Sequence, residues 1–238
     1  MINNRKIYAI IPARGGSKGI PKKNIKNFNG KPLISYSIEY ANFSKYIDNI
    51  IISTDCPEIK KIAQNFTSNK KLYQIIDRPL ELATDEATTE SAIEHVINEC
   101  KINEQSIIIL LQPTSPVRPA HSLDSILKKF IEQEYDSLLT LSPIHPLTWK
   151  INKNKPECMY DYKNRPRRQD FNQKDFIYDE NGSVYIFTSK LFKKNKNRLG
   201  GKIGYFIFKE EYGKQIDTPL DFEILESIEK YLKRNKNE

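Results

Sequence analysis

The feature that most restricts this chain is an alternation, sustained as far as Leu141, between short apolar runs and stretches with apolar residues at helical spacing. The runs Ile7–Ile11, Ile50–Ile52, Leu72–Ile76, Ile107–Leu111 and Ser137–Leu141 read as buried strands. Between them Ile59, Ile62, Ala63 and Phe66, then Ile93, Val96, Ile97 and Cys100, then Leu123, Ile126, Leu127 and Phe130 fall at i, i+3, i+4 and i+7. Each set is the stripe of a helix with one buried face. The helix opening at Pro57 has a start signal, with Asp55 as its cap and Glu58 three residues on. Strand and helix in succession predict an α/β fold, a mostly parallel sheet flanked by helices on both faces.

From about Ser142 to Gly182 the alternation stops and Pro, Arg, Lys, Asn and Tyr take over, before strand-like Val184–Phe187 and Tyr205–Phe208 resume it. This reads as a small inserted lobe, residues 142–183, within one domain spanning 1–238. Thr218-Pro219-Leu220-Asp221 then opens a last helix with Phe222, Leu225, Ile228 and Leu232 on its inner side.

Composition excludes several classes. A hydrophobic share of 38% supports a packed core. The longest aliphatic run, Ile107–Leu111, falls far short of the ~20 residues that span a bilayer. Neither a transmembrane span nor a secretory signal is expected, and Cys56, Cys100 and Cys158 form no disulfide or zinc pattern, so a reducing cytoplasm is the expected home. The net charge of +8 admits nucleic acid, an anionic surface or a phosphorylated substrate. The lysines of the C-terminal helix read as a solvated face, as do Lys193, Lys194, Lys196 and Arg198. So does the acidic series Asp161, Asp170, Asp175, Asp179 and Glu180.

In an open α/β sheet, ligands bind beyond the carboxyl ends of the strands. After Ile7–Ile11 comes Pro12-Ala13-Arg14-Gly15-Gly16-Ser17-Lys18-Gly19-Ile20-Pro21-Lys22-Lys23-Asn24, with four cationic side chains, three glycines and no acid. Glycine lets backbone N–H groups approach an anion, and Arg and Lys neutralise it, so a triphosphate is the natural guest. The spacing matches neither the P-loop nor the dinucleotide fingerprint. After the fourth strand, Gln112-Pro113-Thr114-Ser115-Pro116-Val117-Arg118 sets an amide, two hydroxyls and a guanidinium between prolines, suited to reading a base or a sugar. Either segment by itself is also ordinary loop chemistry.

Taken in order, Ile11 to Asn24, Gly30-Lys31-Pro32-Leu33, Leu111-Gln112-Pro113-Thr114-Ser115-Pro116, Asn181-Gly182 before Tyr185, and Ile216-Asp217-Thr218 resemble the cytidylyltransferases that make CMP-activated nonulosonic acids, the CMP-sialic acid synthetases. The resemblance implies a Rossmann-like nucleotidyltransferase in which the anomeric hydroxyl of a sialic- or legionaminic-type acid attacks the α-phosphate of CTP. By that resemblance Arg14, Ser17, Lys18, Lys23 and Asn24 hold the triphosphate, with Lys23 close to the reacting phosphoryl. Arg78, Ala83 and Thr84 form the cytosine pocket, and Gln112, Ser115, Arg167 and Tyr185 recognise the acid sugar. Arg14, Lys23 and Asp217 carry the catalysis. The resemblance also implies a homodimer built through the inserted lobe, a cytoplasmic enzyme, and a place in surface polysaccharide biosynthesis.

It implies Mg²⁺, with Mn²⁺ as the alternative. Members can carry Asp-x-Asp at the metal; here Gln215 takes the first position and Asp217 the second. Asp221, three residues after Thr218, reads as a capping-box carboxylate, which leaves Asp217 as the metal ligand. His95 and His121 read as surface or capping residues, Cys100 as core, and His145 as a loop residue that packs on Trp149 or contacts substrate. Lys150 stands two residues beyond the family's usual lysine position.

Kdo and pseudaminic acid cytidylyltransferases are the alternatives within the class. The Kdo family usually has a shorter first loop without the Lys23-Asn24 pair, and pseudaminic acid enzymes tend to lack Gln-Pro-Thr-Ser-Pro. Outside it stand a basic nucleic-acid-binding domain, disfavoured because no aromatic-studded sheet is apparent, and a glycosyltransferase using a CMP-sugar. Neither nucleic acid nor membrane is an expected partner.

Overall fold

Strand β1 (Ile7–Pro12) lies inside a seven-stranded sheet and sends Ile7, Ala9 and Ile11 into one core and Tyr8 and Ile10 into another, a period of two with apolar residues on both sides. The structure, a computed structural model, describes residues 4–66, 71–144, 147–171 and 176–235. A 3-10 turn at Lys23–Ile25 and the short pair β2 (Asn27–Phe28) and β3 (Lys31–Pro32) lead to helix α1 (Leu33–Phe43). Then follow β4 (Asn49–Thr54), α2 (Pro57–Gln64), β5 (Leu72–Asp77), α3 (Thr89–Glu99), β6 (Ile107–Leu111), α4 (Ser122–Glu132) and β7 (Ser137–Ile144). The hairpin β8 (Trp149–Asn152) and β9 (Lys155–Cys158) forms a separate two-stranded sheet. Strand β10 (Ile177–Thr188), α5 (Ser189–Asn195), β11 (Ile203–Ile207) and α6 (Pro219–Arg234) complete the chain.

The strand order is β11-β7-β10-β6-β1-β4-β5. Strands β6, β1, β4 and β5 run parallel, β10 runs antiparallel between β6 and β7, and β11 is parallel to β7. The expected mostly parallel sheet is therefore present: β6 has the expected bounds, β1, β4, β5, β7 and β10 extend beyond theirs, and β11 starts earlier than expected and ends at Ile207, leaving Phe208 outside it. Helices α1, α2, α4 and α6 pack through Ile34, Ile59, Leu127 and Leu225 onto one face, and α3 and α5 through Ile93 and Phe192 onto the other. The chain leaves β1 toward β4 and β5, then returns to β6 on β1's other side, so the loops after β1 and β6 diverge and open a crevice between them.

Two local expectations fail. Asp55 does not cap α2: Cys56 is the N-cap residue without a side-chain bond, and Asp55 Oδ1 accepts the Gly15 N–H at 2.9 Å. The cluster after α5 is not uniformly solvated, because Lys196 pairs with Glu94 and Arg198 Nε donates to Glu90 Oε1 at 2.7 Å while its guanidinium lies 4.7 Å over the Tyr185 ring. Glu180 likewise accepts from the Tyr185 hydroxyl. The capping box at α6 is as expected: Thr218 Oγ1 accepts the Asp221 N–H at 3.2 Å, and Asp221 Oδ2 accepts the Thr218 N–H at 2.8 Å.

Candidate active site

A cleft of about 270 Å³ opens at the carboxyl ends of β1 and β6. Its walls include Arg14, Gly16, Ser17, Lys23, Asn24, Arg78, Gln112 and Thr114, residues spread over three loops in the sequence. The loop after β1 is held in place rather than left mobile. The Ala13 N–H donates to the Ser53 carbonyl at 2.9 Å, Gly15 is tied to Asp55, and the buried Asn24 amide donates to the Arg14 carbonyl at 2.9 Å.

Lys23 crosses the mouth. Its ammonium donates to the Ile216 carbonyl at 2.8 Å and stands 4.0 Å from Asp217 Oδ1. Burial lowers its pKa, Asp217 opposes that, and Arg14 adds to it. The Ile216–Asp217 strap is fastened from two further sides. The Ile216 N–H donates to the Thr114 carbonyl at 2.8 Å, and a Cβ at Gly19 would fall 2.3 Å from the Asp217 carbonyl oxygen, so only glycine fits there. Asp217 itself is exposed.

The β6 loop is positioned from below by a buried guanidinium. Arg118 donates to the Gln112 carbonyl at 2.7 Å, to the Ser183 carbonyl at 3.2 Å and to Ser37 Oγ at 3.1 Å, and burial lowers its pKa to about 10. Asn181, buried at the irregularity in β10, accepts from Thr140 Oγ1 at 2.6 Å and donates to Ser142 Oγ at 3.0 Å. Its carbonyl accepts from Ser115 Oγ at 3.2 Å.

The structure thus gathers Arg14, Ser17, Lys23, Asn24, Arg78 and Gln112 around one cleft, with Asp217 at its edge. Arg78 also donates to Ser53 Oγ at 3.0 Å and to the Ser53 carbonyl at 2.8 Å, and burial lowers its pKa to about 10. Ala83 and Thr84 present their carbonyls to Arg14, and Lys18 reaches Asp85 Oδ2 at 3.2 Å. Three expected residues are not brought in. Ser115 is buried on Asn181, Tyr185 lies in the second core with its hydroxyl on Glu180, and Arg167 is exposed and paired with Asp170 at 2.7 Å. Ala87, Thr88, Thr89 and Ala92 also line the cleft, at the N-terminus of α3. Sequence reasoning missed them because a cap such as Thr88 marks a helix start without saying what that start faces.

His121 takes the N-cap position of α4 without a side-chain bond and meets the Phe43 ring edge-on at 5.8 Å. His145 lies outside the described residues, and Trp149 packs against Tyr160 and Tyr162. Lys150 is exposed on β8.

The cytidylyltransferase family model matches residues 8–236. The chain belongs to that family of nucleotidyltransferases. It is 33% identical over 228 residues to N-acylneuraminate cytidylyltransferase of Oncorhynchus mykiss, covering 93% of this chain and 50% of that one, so the chain spans half the length of that relative. It is 31% identical over 229 residues to pseudaminic acid cytidylyltransferase of Campylobacter jejuni, covering 94% of this chain and 97% of that one. Among solved structures, CMP:2-keto-3-deoxy-manno-octonic acid synthetase complexed with CTP superposes with a TM-score of 0.67 at 18% identity, over 95% of this chain and 99% of that one, a likeness of fold. No helix among the described residues is long and apolar enough to cross a membrane.

Proposed function

We propose that the cleft joins CTP to a nonulosonic acid of the sialic or legionaminic type, releasing the CMP-sugar and pyrophosphate. The observation that carries this reading is the placement of Lys23: a half-buried ammonium between the glycine loop and the Ile216–Asp217 strap, beside Arg14 in a cleft of that loop's making. Transfer to the α-phosphate requires in-line positioning and neutralisation of the charge that grows on the leaving pyrophosphate. Arg14, Lys18 and the loop amides suit the outer phosphates, with Ser17 and Asn24 setting the loop's shape. Lys23 suits the reacting phosphoryl. Arg78, Ala83 and Thr84 take the cytosine side. Gln112 faces the sugar, whereas Arg167 and Tyr185, held by Asp170 and Glu180, stand outside the cleft.

Asp217, exposed at the cleft edge, is the carboxylate that would hold Mg²⁺ or Mn²⁺ together with phosphate oxygens and water, an acceptable shell for either ion. Bound there, the cation would neutralise phosphate charge. The donor set fits one such ion rather than a protein-built cage. Gln215 lies against Gly182, and no group of three or more His, Cys, Asp or Glu among the described residues could hold a metal.

We also propose that a second copy packs on the 142–183 lobe, since Trp149, Ile151, Met159 and Tyr162 expose large apolar surfaces there. A cytoplasmic location is part of the same proposal, in keeping with a reaction that draws on CTP. Pseudaminic acid is the second reading, supported by the near full-length match to the Campylobacter relative. The test is pyrophosphate release from CTP and Mg²⁺ with each of N-acetylneuraminic, legionaminic and pseudaminic acids and Kdo. Release dependent on one of the first two supports the proposal, release with pseudaminic acid alone moves it to the second reading, and release with none overturns it.

A further inference from the structure

Two cations of the glycine-rich loop, Lys18 and the cleft-lining Arg14, converge on Asp85, which is absent from the residues singled out in the sequence. Its Oδ1 accepts from Arg14 Nη2 at 2.8 Å, and its Oδ2 lies 3.2 Å from Lys18 Nζ. Two carboxylate oxygens bridging a guanidinium and an ammonium repeat the geometry with which two oxygens of one phosphate would bridge the same pair. We propose that Asp85 is a displaceable internal anion, which competes with the polyphosphate of the substrate for Arg14 and Lys18. This rests on the reading of the cleft as a polyphosphate site and adds to it a residue that opposes binding.

The two acids near this loop divide the work. Asp55 accepts the Gly15 N–H and lies close enough to Arg78 to raise its pKa, so it belongs to the frame. Asp85 lies at a bend before the Thr88 cap of α3, on a half-exposed side chain. Arg14 also donates to the carbonyls of Ala83 and Thr84, so it can release the Asp85 carboxylate to a phosphate and stay anchored to the same segment. Lys18, largely exposed, has no such second anchor among the described residues and follows the anion. A triphosphate entering between them brings like charge against Asp85, and the repulsion drives the carboxylate out.

The experiment is calorimetric titration of the wild-type chain, Asp85→Asn and Asp85→Glu with inorganic tripolyphosphate and with CTP, in EDTA so that metal plays no part. Asp85→Asn keeps the shape and removes the charge. The expected result is tripolyphosphate binding about 3- to 10-fold tighter in Asp85→Asn at low salt, shrinking toward parity near ~0.5 M salt as surface charges are screened. Asp85→Glu should stay near wild type, and Arg14→Gln should abolish the gain. Unchanged or weaker binding in a folded Asp85→Asn overturns the proposal and makes Asp85 a residue that orients Arg14. Absence of tripolyphosphate binding to either protein overturns it as well. Tighter tripolyphosphate binding with no CTP binding, even after Mg²⁺ is restored, leaves Asp85's role standing and removes the cytidylyl transfer reading.

Discussion

Lys23 and Ile216 meet across the cleft mouth through one hydrogen bond of 2.8 Å, which joins the loop after the first strand to the segment before the last helix. The contact does two things. It holds the strap down, and it aims an ammonium whose charge is costly to bury at the place where phosphate charge would develop.

Lys23→Met should lower kcat by about 10²-fold, the loss typical of removing one preorganised donor to a developing anion. Relief of the buried charge and loss of the donor to the Ile216 carbonyl act in opposite directions, so thermal stability at neutral pH should move little. Near-wild-type kcat at saturating substrates would show that Lys23 serves only to fasten the strap.

The alkaline limb of kcat/KM should lie below the ordinary lysine value of 10.5, because burial lowers the Lys23 pKa and activity needs the charged form. The sign for stability runs the other way. Between the folded pKa and 10.5 the unfolded chain holds more protons, so stability attributable to Lys23 rises with pH through that window. Asp217→Asn removes the charge that supports Lys23⁺ and should move the alkaline limb lower still; a limb that stays put in that variant would disconnect the two residues.

Asp217→Asn and Asp221→Asn should separate. The first should reduce turnover and raise the Mg²⁺ requirement. The second should cost about 1 kcal/mol of stability through the weakened cap and leave turnover close to normal. The hydrogen bond from Thr218 lowers the Asp221 pKa from 3.8, so this contribution is present above that pH and disappears as acid carries the solution below the folded value. Urea melts and Mg²⁺ titrations of both variants decide it; equal, near-normal turnover in both removes the metal assignment.

Arg118→Met should destabilise by about 2 kcal/mol or more, since it leaves the buried carbonyls of Gln112 and Ser183 without their donor. Because the same guanidinium sets the Gln112 backbone, the KM for the sugar should rise further than that for CTP. Wild-type urea stability would show that those carbonyls do not depend on the Arg118 guanidinium.

Gly182→Ala places a side chain at φ +62°, with its Cβ 2.5 Å from the Gln215 side chain, and should cost about 1–2 kcal/mol from the backbone alone. Gly19→Ala has no such backbone penalty. It pushes on the Asp217 carbonyl, and should therefore cut activity more than stability, which parallel melts and rate assays would reveal.

The fold was legible because its central strands β1, β4 and β6 are buried on both sides and three of its helices carry a clean stripe. Helix α1 was not, because Leu33, Ile34, Ser35, Ser37, Ile38, Tyr40 and Ala41 are all buried; a helix covered nearly all round has no polar face to set the period. The site was legible as a list of residues and not as a set of partners. Asp55 reads locally as a cap, yet the Gly15 amide, 40 residues upstream, takes its carboxylate. Arg198 reads as a surface charge, yet Glu90 and the Tyr185 ring hold it from other elements. Asp85 carries no local signal, since what defines it is a guanidinium 71 residues away.

The hydrogen bond between Lys23 and Ile216 also orders events in time, because 193 residues separate its partners. During synthesis the glycine-rich loop emerges before the strap, and its lysine waits without this anchor until the strap has left the ribosome. Ser53 and Asp55 can shape the loop long before that, so the backbone of the cleft mouth and the aim of its ammonium are acquired at separate times.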